Sequence, residues 1–193
     1  MTDFHSLLLA DRGRKARAIH VVDKDSFGDW AKGRSAADRA LLEAHRFDGK
    51  TGYASVILPS GGEFEVVTAV ANAASLSPWC LAKLPETLPE GDYRLAKGEP
   101  GKAALGWLLA QHRFDSYRKT EQPQRGPRVL VTGEAARIDQ TVRLAEATAL
   151  VRDLVDTPAG DLGPAELEAA VRDHVAAVGA EVRVTSGDAL AEG

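Results

Sequence analysis

Apolar residues recur along this chain in two rhythms. Short β-branched runs alternate with stretches whose apolar positions return every third or fourth residue, and that alternation predicts strands and helices of an α/β domain with a mixed sheet. The first run, Ala18-Ile19-His20-Val21-Val22, reads as a strand buried on both faces. Residues 35–45 follow as a short helix that Ser35 can cap, with Ala36, Ala40, Leu41 and Ala44 on one face. Residues 53–58 and 64–71 read as a hairpin, and Pro59-Ser60-Gly61-Gly62-Glu63 between them supplies residues that tolerate positive φ in a tight reversal. Ser77-Pro78 has the form of a helix start, and the pattern through Trp79, Cys80, Leu81 and Leu84 predicts a helix ended by Pro85 and Pro89. Residues 92–96 read as a short edge strand. A helix is predicted from Lys102 to about Tyr117, with Leu105, Leu108, Leu109 and His112 on one side and Trp107, Gln111 and Phe114 on another. Residues 120–127, TEQPQRGP, read as a surface connector, and Arg128-Val129-Leu130-Val131-Thr132 as a central strand.

The last quarter reads differently. From Ile138 to about Val155 two apolar stripes run side by side, one through Ile138, Val142, Ala145 and Ala149, the other through Leu144, Ala147, Val151 and Leu154. A surface so wide suits a helix that faces two bodies, and a helix buried in a single core would look similar. Asp156-Thr157-Pro158 ends it, because the residue before proline is pushed out of the α region. Gly163-Pro164 starts the next helix, with Leu167, Val171, Val175 and Val178 at helical spacing, Gly179 as its cap, and residues 181–185 alternating as a strand. The expected organisation is a flexible lead-in over 1–17, an α/β domain over 18–137, a linking helix over 138–157 and, over 158–193, the start of a second α/β domain.

Twenty-four basic against 28 acidic residues leave a formal charge of −4 without long blocks, which argues against a nucleic-acid face. The apolar runs fall short of the roughly 18 residues a membrane span needs. The amino terminus has acidic and polar residues ahead of its brief apolar patch, the reverse of a secretory signal. With one cysteine, Cys80, in an apolar helical pattern, these features predict a cytoplasmic protein without disulfides.

Candidate chemistry is sparse. The five histidines, at positions 5, 20, 45, 112 and 174, fall in separate elements, and none has the four-residue spacing that puts two imidazoles on one helical face. His20 reads as a hydrogen-bonded strand residue. Gly61-Gly62 is followed by no helix, so it lacks the oriented N–H groups of a phosphate cradle. Gly101 and Gly106 are spaced like the ends of a P-loop, but Trp107 stands where that loop needs lysine. Asp153, Asp156 and Asp161 lie on a helix end and a turn, where helix termination accounts for them. No Gly-x-Ser-x-Gly elbow is present.

Two segments carry a family resemblance. Arg152-Asp153-Leu154-Val155-Asp156-Thr157-Pro158, continued to Gly163-Pro164, resembles the Arg-Asp-Leu-Val-Asn-Thr-Pro segment that opens the catalytic domain of the leucyl (cytosol) aminopeptidases, the M17 family. Asp156 departs from it at the asparagine. The segment from Gly106 through Arg118 is similar to a helix of that family's amino-terminal domain ending in Tyr-Arg-Phe-Asp-x-Tyr, with His112 in place of the first tyrosine. The likeness spans residues 16–193. It implies a macro-domain-like leading domain, a hexameric two-metal exopeptidase as the parent enzyme, and zinc, manganese or magnesium as its ions. The family's metal and catalytic groups sit in two blocks, Lys and Asp before Asp-Thr-Gly-Gly, and Asn-Thr-Asp-Ala-Glu-Gly-Arg, neither of which occurs in these residues. The resemblance therefore implies the non-catalytic front of an aminopeptidase and, over 158–193, the start of a truncated catalytic domain, the rest of which is missing here, with no catalytic or metal residues of its own. Its scaffolding role would rest on Arg152, Asp153, Asp156, Thr157, Pro158, Gly163 and Pro164 between the two domains. The alternative is a macro-like module that binds ADP-ribose or another nucleotide.

Overall fold

A computed structural model describes residues 2–119 and 126–191. The chain divides into two compact units, Met1–Ala149 and Leu150–Gly193.

The first unit is built on strands β1 (Leu8–Ala10) and β2 (Arg17–Val22), helices α1 (Phe27–Lys32) and α2 (Ala36–Ala44), and the hairpin β3 (Ser55–Ser60) and β4 (Glu63–Ala69). Then come α3 (Leu84–Thr87), β5 (Gly91–Leu95), α4 (Ala103–Leu109), β6 (Arg128–Thr132) and the start of α5 (Ile138–Asp156), whose residues after Ala149 fall in the second unit. Six strands form one sheet in the order β1-β6-β5-β2-β4-β3, parallel except for β3.

Successive side chains of a strand point to opposite faces, so the continuous apolar runs feed two cores. On β4, Val66 enters a large core with Ile19, Leu81, Tyr93, Trp107 and Leu130, while Val67 enters a smaller one with Val22, Leu42, Phe47 and Leu58. The mixed sheet with flanking helices is the predicted class. The hairpin turns at Gly61 and Gly62, both at positive φ (53° and 85°), as the reversal requires. Ser35 caps α2 reciprocally with Asp38: Ser35 Oγ accepts from the Asp38 N–H at 3.0 Å, and the Asp38 carboxylate from the Ser35 N–H at 3.2 Å. Along α5 the first predicted stripe is the inward one, with Val142, Ala145 and Ala149 fully buried.

Four expectations in this unit need correction. The lead-in is not a frayed tail: Phe4, Leu7 and Leu8 are buried, and Leu8 pairs with Leu130 as β1 adds to the sheet edge. A patch too short to hold itself is held by β6. The helix from Ser77 is instead a series of i→i+3 turns ending in the short α3, with Cys80 bonding back to Ser77, Ala82 to Trp79 and Leu84 to Leu81. The Pro78 carbonyl, which a helix would give to Ala82, accepts from the Gly106 N–H at 3.0 Å, and Pro85 has no N–H to continue an α ladder. The short strand near residue 92 is interior, between β2 and β6, with Tyr93 fully buried. The helix expected as far as Tyr117 stops at Leu109, its end tightened by Gln111 N–H to Leu108 and His112 N–H to Leu109, because the Gln111 side chain is committed to β6. Of the predicted connector at 120–127, residues 120–125 lie outside the described residues.

In the second unit, α6 (Pro164–Val178) starts after Gly163 and ends at Gly179, whose φ of 70° is the left-handed closure glycine favours. The strand expected over residues 181–185 is absent. Residues 181–185 take no regular structure, and none of them pairs into the six-stranded sheet. A short 3-10 turn, Gly187–Ala191, follows.

Candidate functional site

Three places in the described residues could carry function. The first is the connection from α5 to α6, which holds the seven residues to which the resemblance gives a scaffolding role. Its hydrogen bonds explain its composition. The Asp153 carbonyl accepts from both the Thr157 N–H (3.0 Å) and the Thr157 hydroxyl (2.6 Å), closing the last turn of α5. The Pro158 carbonyl accepts from the N–H groups of Asp161 (2.8 Å) and Leu162 (3.1 Å), which folds the turn. Gly163, extended at φ −87° and ψ −175°, donates its N–H to the Glu166 carboxylate at 3.0 Å, and Pro164 takes the first helical position. Arg152, Asp156 and Pro158 are exposed. Val155 is 77% exposed and Val151, one turn earlier, 58%. These two apolar side chains lie on one face of α5, exposed to solvent beside the turn. The seam does not gather Asp153, Asp156 and Asp161 into a ligand set.

The second place is the carboxyl end of the parallel strands, where open α/β sheets bind ligands. Here the chain's own carboxylates bond the loops to one another. After β2, one Asp23 oxygen accepts from the Ser26 hydroxyl (2.6 Å) and the Ser26 N–H (2.9 Å), and the other from the Ala73 N–H beyond β4 (2.7 Å). Glu99 accepts from the Thr132 hydroxyl (2.8 Å) and the Gly133 N–H (2.9 Å), and Glu134 from the Gly101 N–H (3.0 Å) and Arg137 (2.9 Å). The cleft between Leu8, Gly101, Glu134 and Arg137 has about 10 Å³, room for roughly one water and far from that of a nucleotide. Gly101, at φ 49°, gives its N–H to Glu134, so the P-loop-like spacing builds packing and not a phosphate site.

These bonds set a pH dependence. The Ser26 hydroxyl, then the Ala73 and Ser26 N–H groups, favour the ionised form of Asp23 and lower its pKa from 3.8 to about 2. A depressed folded-state pKa contributes stability that is fully present above the unfolded value, and this contribution fades as pH falls from about 3.8 through about 2. Asp23→Asn is therefore expected to flatten the acid limb of the stability curve in that window, relative to the parent. Urea titrations at stepped pH check it, and parallel limbs for the two proteins would contradict it.

The third place is a part-buried cluster on the α1 side of the sheet. His20 Nε2 lies 2.7 Å from Glu65, Arg34 bonds Glu65 and reaches His20 Nε2 at 3.1 Å, and its guanidinium stacks 4.3 Å over the Trp30 ring. His20 is thus a hydrogen-bonded strand residue, as its setting predicts. Arg34 and Glu65 were not legible as its partners, because only the β2–β4 register, His20 beside Val67, brings Glu65 within reach. Among the described residues no group of three or more His, Cys, Asp or Glu could hold a metal ion, and no helix is long and apolar enough to cross a membrane.

Comparison with known proteins adds the following. Residues 18–126 match the M17 aminopeptidase N-terminal domain model. A probable cytosol aminopeptidase of Xanthobacter autotrophicus is 29% identical over 186 residues, covering 83% of this chain and 37% of the relative. One of Rhizobium etli is 31% identical over 198 residues, covering 86% and 40%. The chain thus spans about two-fifths of the length of these relatives. In fold it is similar to the cytosol aminopeptidase of Coxiella burnetii, with a TM-score of 0.77 at 23% identity over 96% of this chain and 41% of that one. It is also similar to the bottromycin maturation enzyme BotP in complex with Mn, with a TM-score of 0.66 at 23% identity over 92% and 40%.

Proposed function

This chain belongs to the M17 aminopeptidase family, and from that premise we propose that it is the non-catalytic front of a two-metal exopeptidase that removes amino acids from the amino termini of peptides. Its role is to scaffold and orient a catalytic domain. The observation that carries the reading is the family match over residues 18–126. Arg152, Asp153, Asp156, Thr157, Pro158, Gly163 and Pro164 fix the path of the chain from the first domain toward the catalytic one. The ions, zinc, manganese or magnesium, belong to that catalytic domain; the Mn in the BotP complex supports manganese among them. Relatives named cytosol aminopeptidases support a cytoplasmic enzyme, and a hexamer is the assembly that the resemblance implies. A nucleotide or ADP-ribose module is set aside, since Asp23, Glu99 and Glu134 tie up the loops such a ligand would have to enter.

The reading is tested by co-elution. Mixed with a cytosol aminopeptidase catalytic domain freed of its own amino-terminal part, this chain should co-elute in size-exclusion chromatography. Val155→Asp should weaken that association at least tenfold while leaving the circular dichroism unchanged, because a charge replaces a 77% exposed apolar contact. Separate elution of the parent chain, or co-elution untouched by the variant, would count against the seam.

A further inference from the structure

We draw no further inference here: the strongest candidate, the part-buried His20, Arg34 and Glu65 cluster beside Trp30 on the α1 side of the sheet, carries nothing because its ring nitrogens, guanidinium and carboxylate are taken up by one another and no observation in the structure points to a ligand.

Discussion

Trp107→Ala should destabilise the first unit by about 3–5 kcal/mol, the range for emptying a buried tryptophan site. Trp107 is fully buried in the large core, its ring 5.6 Å from that of Tyr93, and its indole N–H donates to the Arg128 carbonyl at 2.9 Å. Which part of the side chain matters can be decided from the partners. The Arg128 carbonyl also accepts from Gln111 Nε2 at 2.8 Å, so it keeps a donor when the indole is gone. Most of the loss then comes from the cavity and the lost packing, and Trp107→Phe, which keeps one aromatic ring of the two, should cost clearly less than the alanine variant. Urea unfolding followed by far-UV circular dichroism reads both. An alanine variant within about 1 kcal/mol of the parent would show that this core is not organised around α4.

Gly106→Ala should also destabilise, by about 1–3 kcal/mol, the usual cost of overpacking. The sign is the informative part. In an ordinary exposed helix the same change is favourable by roughly 0.8–1 kcal/mol. Here a β-carbon on Gly106 would overlap the Pro78 carbonyl oxygen, the acceptor of the Gly106 N–H, and would crowd Ala82. The turn carrying Cys80 and Leu81 must shift or lose that bond. Thermal unfolding of the variant checks it, and a raised midpoint would mean that the turn and α4 are less closely apposed than described.

Those two neighbours also show where sequence reasoning reaches and where it ends. Apolar periodicity located β2, β4, β6 and two stripes along α5, because each element must bury a face whatever its neighbours are; which stripe of α5 turns inward came only from the packing. The Ser35 cap and the Gly61-Gly62 turn were legible because they are satisfied by residues close in sequence. The turn at residues 77–83 was not, since the Pro78 carbonyl is claimed by a residue 28 positions away and no local pattern records that claim. Nor was β1: three residues have no strand signal of their own, and only the Leu8–Leu130 pairing makes them one. Tyr93 could not be placed as interior from a five-residue strand. At the seam, the turn and cap chemistry of Thr157, Pro158, Gly163 and Pro164 could be read directly. The carboxylate straps of Asp23, Glu99 and Glu134 could not, because each joins loops far apart along the chain.

On the proposed reading, these residues hold the frame of an aminopeptidase and not its chemistry. Release of p-nitroaniline from leucine-p-nitroanilide by the purified chain, supplemented in turn with zinc, manganese and magnesium, tests it most directly. The account predicts a rate equal to that of the metal-containing buffer alone; turnover that rises with protein concentration and is abolished by chelation would contradict it.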